Sequence, residues 1–235
     1  MAPLVGVLGG MGPAATVDFY SKLIAATPAA TDQEHLRVMI WSDPSVPDRS
    51  RAIMGTGEDP TPVLARGAQQ LKDAGAAFYV VTCNGAHAFL PKVREEVDLD
   101  YLSIIEVTTE HISALPYVAA AGILATDATL SSALYQDRLT QAGVTPLVPN
   151  PDHQRIVMEA IYGVKSGALV AEHKVALAQV AQELVDRGAD VLIAGCTEIP
   201  LAIAPDECPR DLIDPSSLLA NQVVRKVATL RDGVR

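Results

Sequence analysis

Aromatic residues are scarce in this 235-residue chain: one Trp, three Phe and six Tyr make up 4% of it. Any core must therefore be built from Ala, Val, Leu and Ile, and the 49% apolar content supplies them. With only 20% charged residues and a mean hydropathy of +0.21, a disordered chain is excluded. Basic residues are also few, 18 against 28 acidic, for a formal charge of −10. No run of Lys and Arg reverses that field locally, so a phosphate backbone would be repelled and no nucleic acid partner is expected. Long apolar runs are missing: the longest, Leu115 to Ala125, falls well short of the roughly 20 residues that span a bilayer. The start MAPLVGVLGGMG lacks the basic n-region of a signal peptide, and the expectation is a soluble, cytoplasmic protein with no membrane partner. Three cysteines are too few for a disulfide framework and read as free thiols.

What the sequence does contain is a repeat. Residues 74–84, AGAAFYVVTCN, resemble residues 187–197, RGADVLIAGCT, and place Cys83 and Cys196 at an offset of 113. VGVLGG (5–10) resembles AGILAT (121–126) at an offset of 116, each leading into a helix, the first carrying Phe19-Tyr20 and the second Leu134-Tyr135. Before each cysteine run lies a helical pattern, Thr61 to Leu71 and Val175 to Val185, stopped by Gly75 and Gly188. Short apolar runs (Val5 to Leu8, Val38 to Trp41, Phe78 to Val81; Ala121 to Ala125, Thr145 to Val148, Val191 to Ala194) alternate with amphipathic helices, which predicts parallel strands covered on both faces. The fold class expected is α/β: two pseudo-symmetric domains, each a mainly parallel sheet flanked by helices, with the active site in the cleft between them. The closing segment, Leu212 to Pro215 and a helix over Ser217 to Leu230, is expected to return to the first half as its last strand and helix. The domains are then 1–114 plus 212–235, and 115–211.

Ligands in such sheets bind beyond the carboxyl ends of the strands, where both cysteines stand. Free cysteine is commonly just a small buried hydrophobe. Two of them at equivalent points of a duplicated unit argue for chemistry instead, and a helix N-terminus after Cys83 would lower the pKa of its thiol. Cys208, among turn residues and without a counterpart, reads as structural. His87, four residues after Cys83, either orients the short helix or takes part in catalysis; Glu198 has the same two readings. No metal is expected, because His35, His111, His153 and His173 are scattered without ligand spacing. Gly10 to Ala15 matches the G-x-G-x-x-A dinucleotide fingerprint, with Asp43 a late acidic partner, but an NAD site leaves both cysteines unexplained. Arg49 and Lys165 are either clamps for a substrate carboxylate or solvated surface groups.

Taken together, Leu8-Gly9-Gly10-Met11-Gly12-Pro13, Asp32-Gln33-Glu34-His35, Pro47-Asp48-Arg49, Gly57-Glu58-Asp59-Pro60, Cys83-Asn84-x-Ala86-His87, Lys165 and Gly195-Cys196-Thr197-Glu198 resemble the aspartate/glutamate racemase family, in order from Leu4 to about Pro215. The resemblance implies a PLP-independent amino-acid racemase with no cofactor, a small amino-acid substrate and a homodimer. It makes Cys83 and Cys196 the acid/base pair. Met11, Asn84, Thr126 and Thr197 would surround the α-carboxylate and amino group, and Arg49 and Lys165 would hold a distal carboxylate. Gly85 stands where aspartate racemases usually carry Thr, which enlarges the pocket and bears on specificity. Glu198 stands where glutamate racemases carry His, and Leu8-Gly9 lacks their Asp, which places the chain nearer the aspartate branch. The expected activity is racemisation of aspartate or glutamate by proton transfer at Cα. The alternatives are a broader-specificity racemase, a hydantoin racemase or maleate isomerase-like enzyme, a non-catalytic amino-acid-binding module, and an NAD-dependent oxidoreductase.

Overall fold

Each apolar run that the sequence marks as a strand is one. In the computed structural model, which describes residues 2–232, the first half contains β1 (Leu4–Gly9), α1 (Pro13–Ala26), β2 (Arg37–Ser42), α2 (Arg49–Ile53), α3 (Thr61–Asp73), β3 (Ala76–Val81), α4 (Leu90–Glu96), β4 (Tyr101–Leu102) and α5 (Ile104–Ser113). The second contains β5 (Ala120–Leu124), α6 (Asp127–Ser131), α7 (Gln136–Gln141), β6 (Thr145–Leu147), α8 (Pro151–Ser166), α9 (Ala171–Asp186), β7 (Val191–Ala194), α10 (Ile199–Ala202), β8 (Leu212–Ile213) and α11 (Pro215–Asp232). Met1 and residues 233–235, the outer ends of the expected first domain, lie outside the described residues.

The helix boundaries follow local chemistry. Asp59 Oδ1 accepts from the Thr61 amide at 2.9 Å where α3 begins, and Asn150 Oδ1 accepts from Asp152 and His153 where α8 begins, each helix also carrying Pro in its first turn. Gly75 and Gly188 end α3 and α9 at φ +84° and +101°, backbone that costs a β-carbon dearly.

Two parallel four-stranded sheets result, in the orders β2-β1-β3-β4 and β6-β5-β7-β8. The duplication extends to register: Val5 pairs with Phe78 and Ala121 with Val191, so Cys83 and Cys196 follow equivalent strands by the same two residues. Side chains alternate between faces. Val5, Val7, Phe78 and Val80 meet Ala121, Ile123, Val191 and Ile193 in one central core that includes α1, α5, α7 and α11. Tyr79 and Val81 point the other way, under α3 and α4, while Leu192 and Ala194 lie under α8 and α9.

Two expectations need correction. Leu212–Ile213 does not return to the first sheet; it pairs with β7 at Leu192↔Leu212. The equivalent place in the first sheet is filled by Tyr101–Leu102, a strand too short for its pattern to show, held by the Tyr79 amide donating to the Asp100 carbonyl at 2.9 Å. Only the helix crosses over, α11 packing on α1 and α5. Leu134-Tyr135, expected inside a helix, lies in the break between α6 and α7, where Ala133 adopts φ +51° and Tyr135 turns into the central core.

Candidate active site

The Gly-rich turn after β1 is shaped by packing. Gly10 has φ +91°, and a β-carbon there would stand 2.4 Å from the Asp43 amide nitrogen at the end of β2. Thr16 of α1 ties the turn down, accepting from the Gly10 amide at 2.9 Å and sharing a hydrogen bond with Thr82 at 3.2 Å. Asp43, the acidic partner a dinucleotide reading would need, is engaged with Ser45 and Arg66. The turn thus carries Met11 to the mouth of the cleft, buried and beside the end of β3.

A small cavity of about 30 Å³ opens between the strand ends of the two halves. Cys83, Asn84, Gly85, Met11 and Arg49 line it from the first half, and Cys196, Glu198, Thr126 and Lys165 from the second. Of the site residues read from the sequence, only Thr197 is absent from the wall. It is buried behind it, its hydroxyl donating toward the Thr82 carbonyl at 3.4 Å and Glu198 Oε2 at 3.3 Å, which links the halves. Asp48, Ser50 and Tyr162 complete the wall. Sequence reading passed over Tyr162, although it sits one helical turn before Lys165 on α8; its hydroxyl reaches Asp48 across the cleft at 3.4 Å.

The two thiols have different surroundings. Cys196 Sγ–H donates to Glu198 Oε2 at 2.9 Å. Burial, then the Glu198 charge, push this thiol well above its ordinary pKa, with Lys165 only partly opposing them. A buried carboxylate faces this thiol, and the helix that follows it, α10, spans only Ile199–Ala202. Glu198 is 2% exposed and accepts from Lys165 Nζ at 2.6 Å through Oε1, so one carboxylate bridges the thiol and the ammonium. Burial alone would lower the Lys165 pKa, but the neighbouring negative charges outweigh it and hold the ammonium above its ordinary value.

Arg49 is a wall residue and not a solvated one. Its guanidinium donates to the Val46, Pro47 and Met11 carbonyls at 3.0, 2.8 and 3.3 Å, while its buried Nε has no partner among the described residues. A β-carbon added at Gly85 would meet Thr129 Oγ1 at 3.5 Å and Arg49 Cβ at 3.8 Å, ordinary contact, so there is room for one beside Arg49 that glycine leaves unfilled. His87 takes the orienting role. Its Nδ1 lies 2.9 Å from the Cys83 carbonyl and its Nε2 accepts from the Ile104 amide at 3.3 Å, joining the cysteine loop to α5. Cys208 lies far along the second half, half-buried, where burial raises its thiol pKa to about 11.

Among the described residues no group of three or more His, Cys, Asp or Glu side chains is placed to hold a metal ion, and no helix is long and apolar enough to cross a membrane.

Comparison with known proteins places this geometry. The model of the Asp/Glu/hydantoin racemase family matches residues 8–223. The broad specificity amino-acid racemase RacX of Bacillus subtilis (strain 168) is 30% identical over 227 residues, covering 94% of this chain and 96% of RacX. The aspartate racemase of Picrophilus torridus superposes with a TM-score of 0.82 at 30% identity, over 96% of this chain and 94% of that one. The glutamate racemase of Francisella tularensis subsp. tularensis SCHU S4, in complex with D-glutamate, shares the fold at a TM-score of 0.71 and 17% identity, over 98% of this chain and 82% of that one. With two matching parallel sheets, a cysteine two residues beyond the third strand of each half, and a family match across nearly its whole length, the chain belongs to the Asp/Glu/hydantoin racemase family of isomerases.

Proposed function

We propose that the protein racemises a small acidic amino acid, aspartate or glutamate, without PLP, by proton transfer between Cα and the thiols of Cys83 and Cys196. The observation that carries this reading is the placement of both buried cysteines, at equivalent strand ends, on the walls of one cleft. A single base returns a proton to the face it came from; inversion needs a base on one face and an acid on the other. In one direction the Cys83 thiolate takes the α-proton and becomes a thiol. The C–H electron pair moves into the carboxylate, and the Cys196 thiol delivers its proton to the opposite face and becomes a thiolate. The raised pKa of Cys196 suits it to begin as the acid. In the other direction the roles exchange.

The α-proton is so weakly acidic that negative charge growing on the carboxylate must meet oriented donors. Asn84 and Thr126 on the cavity wall serve here, with Met11 packing beside them. The Arg49 guanidinium, whose buried Nε has no partner among the described residues, and the Lys165 ammonium are the cations for a distal carboxylate. Glu198 holds Lys165 in place and neutralises part of its charge.

A second reading, a racemase of broader specificity, is favoured by one feature: Gly85 puts no side chain into the cleft beside Arg49, which leaves the wall less restrictive at that point. One experiment addresses both readings. A panel of L-amino acids is incubated with the protein in D2O without PLP, and loss of the α-proton signal is followed by NMR. Exchange confined to aspartate and glutamate supports the first reading, exchange across many side chains supports the second, and none at all refutes both. The same reading makes the protein a cytoplasmic homodimer, which light scattering at twice the 24.8 kDa chain mass would support.

A further inference from the structure

Asn84 is 2% exposed, and the two ends of its side-chain amide differ. Oδ1 accepts a hydrogen bond of 2.6 Å from the Tyr135 hydroxyl, while Nδ2 has no partner among the described residues. Tyr135 comes from the opposite half of the molecule and is fully buried. Burial pushes its phenol far above the ordinary range, so the group stays protonated and available as a donor. A carbonyl oxygen can only accept, so the phenol fixes which end of the amide faces it. The end left over is the N–H2 group, on a residue that lines the cleft.

We infer that Tyr135 is a positioning residue: it holds the Asn84 amide with its N–H2 turned to the reacting carboxylate. The inference rests on the racemase reading above for the step it serves. Internal symmetry supplies a comparison. At the offset of the first-strand repeat, 116 residues earlier, stands Phe19, also fully buried in the central core. The counterpart of Asn84, at the offset of 113, is Thr197, whose hydroxyl turns to Thr82 and Glu198 instead. The hydroxyl is what the second half adds, and it meets an asparagine that the first half alone provides.

Charge builds on the substrate carboxylate as the α-proton leaves, so a donor oriented in advance stabilises the transition state more than the bound ground state. Without the phenol the amide can turn its carbonyl toward the substrate. Tyr135→Phe should therefore lower kcat by about tenfold or more, the scale of one misplaced hydrogen bond, with KM little changed.

Kinetics and NMR test this together. The Asn84 side-chain amide cross-peak, identified by its loss in Asn84→Ala, should shift or broaden in Tyr135→Phe while the remaining spectrum overlays the parent's. In the Asn84→Ala background Tyr135→Phe should cost nothing further in kcat, because Thr108, the phenol's other hydrogen-bond neighbour, does not line the cleft. An unmoved cross-peak, kcat within about twofold of the parent, or losses that add in the double variant would overturn the inference. A Tyr135 hydroxyl proton protected from exchange in the parent and lost in Asn84→Ala reports the contact without requiring Tyr135→Phe to fold. A parent protein that exchanges no α-proton on any amino acid would refute the racemase reading, and the cross-peak would still decide whether Tyr135 holds Asn84.

Discussion

His87 should make this fold lose stability in mild acid. Its ring is 6% exposed, and burial lowers its pKa to about 4, with hydrogen bonds to the Cys83 and Asn84 backbone only partly opposing. One neutral tautomer satisfies both neighbours, Nδ1–H donating to the Cys83 carbonyl and Nε2 accepting from the Ile104 amide. Protonation would point an N–H at an N–H. From about one pH unit above 6.5 upward the ring is neutral in folded and unfolded chains alike and contributes no pH dependence. As pH falls below that, the unfolded chain takes up a proton that the folded one refuses, and the free energy of unfolding drops. The drop continues to the folded pKa of about 4 and then stops. At about 1.36 kcal/mol per pH unit, the total lost from this group is about 3 kcal/mol. The assay is urea unfolding of the parent and of His87→Gln, whose amide keeps a donor and an acceptor without a titration in this range. Subtracting one pH curve from the other removes the carboxylates common to both proteins. The difference should change by about 3 kcal/mol between pH 6.5 and 4, the parent losing more. Parallel curves would refute the reasoning and mean that water or a rearranged loop reaches His87 in the folded state.

Cys83→Ala and Cys196→Ala should each abolish racemisation in both directions; near-normal turnover of D- and L-substrate by either, followed by polarimetry, would end the two-base mechanism. Arg49→Ala should reduce kcat/KM for aspartate or glutamate far more than for a neutral amino acid, by about tenfold or more for one lost charge-assisted contact; equal losses across substrates would assign the residue to holding the Val46, Pro47 and Met11 carbonyls. Gly85→Ala should change stability by less than about 1 kcal/mol, since its β-carbon meets nothing nearer than 3.5 Å, and Gly85→Thr should narrow the substrate range in the D2O panel.

The strands, the helix start at Thr61 and the stops at Gly75 and Gly188 were legible because their causes lie within a few residues: an Asp side chain on a nearby amide, a glycine at positive φ, a short continuous apolar run. The paired cysteines were legible for a related reason. A duplicated chain carries its symmetry in sequence, and two offsets near 115 place both thiols at equivalent strand ends. The dinucleotide match shows the limit of local pattern: Gly10 is glycine because the Asp43 backbone approaches it, a contact no spacing rule could reveal. The destination of Leu212–Ile213 was illegible because two apolar residues fit either sheet, and only the strand already occupying the first decided between them.

By itself, then, the sequence determined the repeated α/β unit and the identity and equivalence of the two thiols. Tertiary structure alone decided who meets whom there. Lys165 and Cys196 share Glu198, Tyr162 reaches Asp48 and Tyr135 grips Asn84, each tie but the one within Cys196-Thr197-Glu198 joining distant parts of the chain. Such contacts follow from folding one half against the other, and their distances are set by helix packing in the shared core, which no local stretch of sequence encodes.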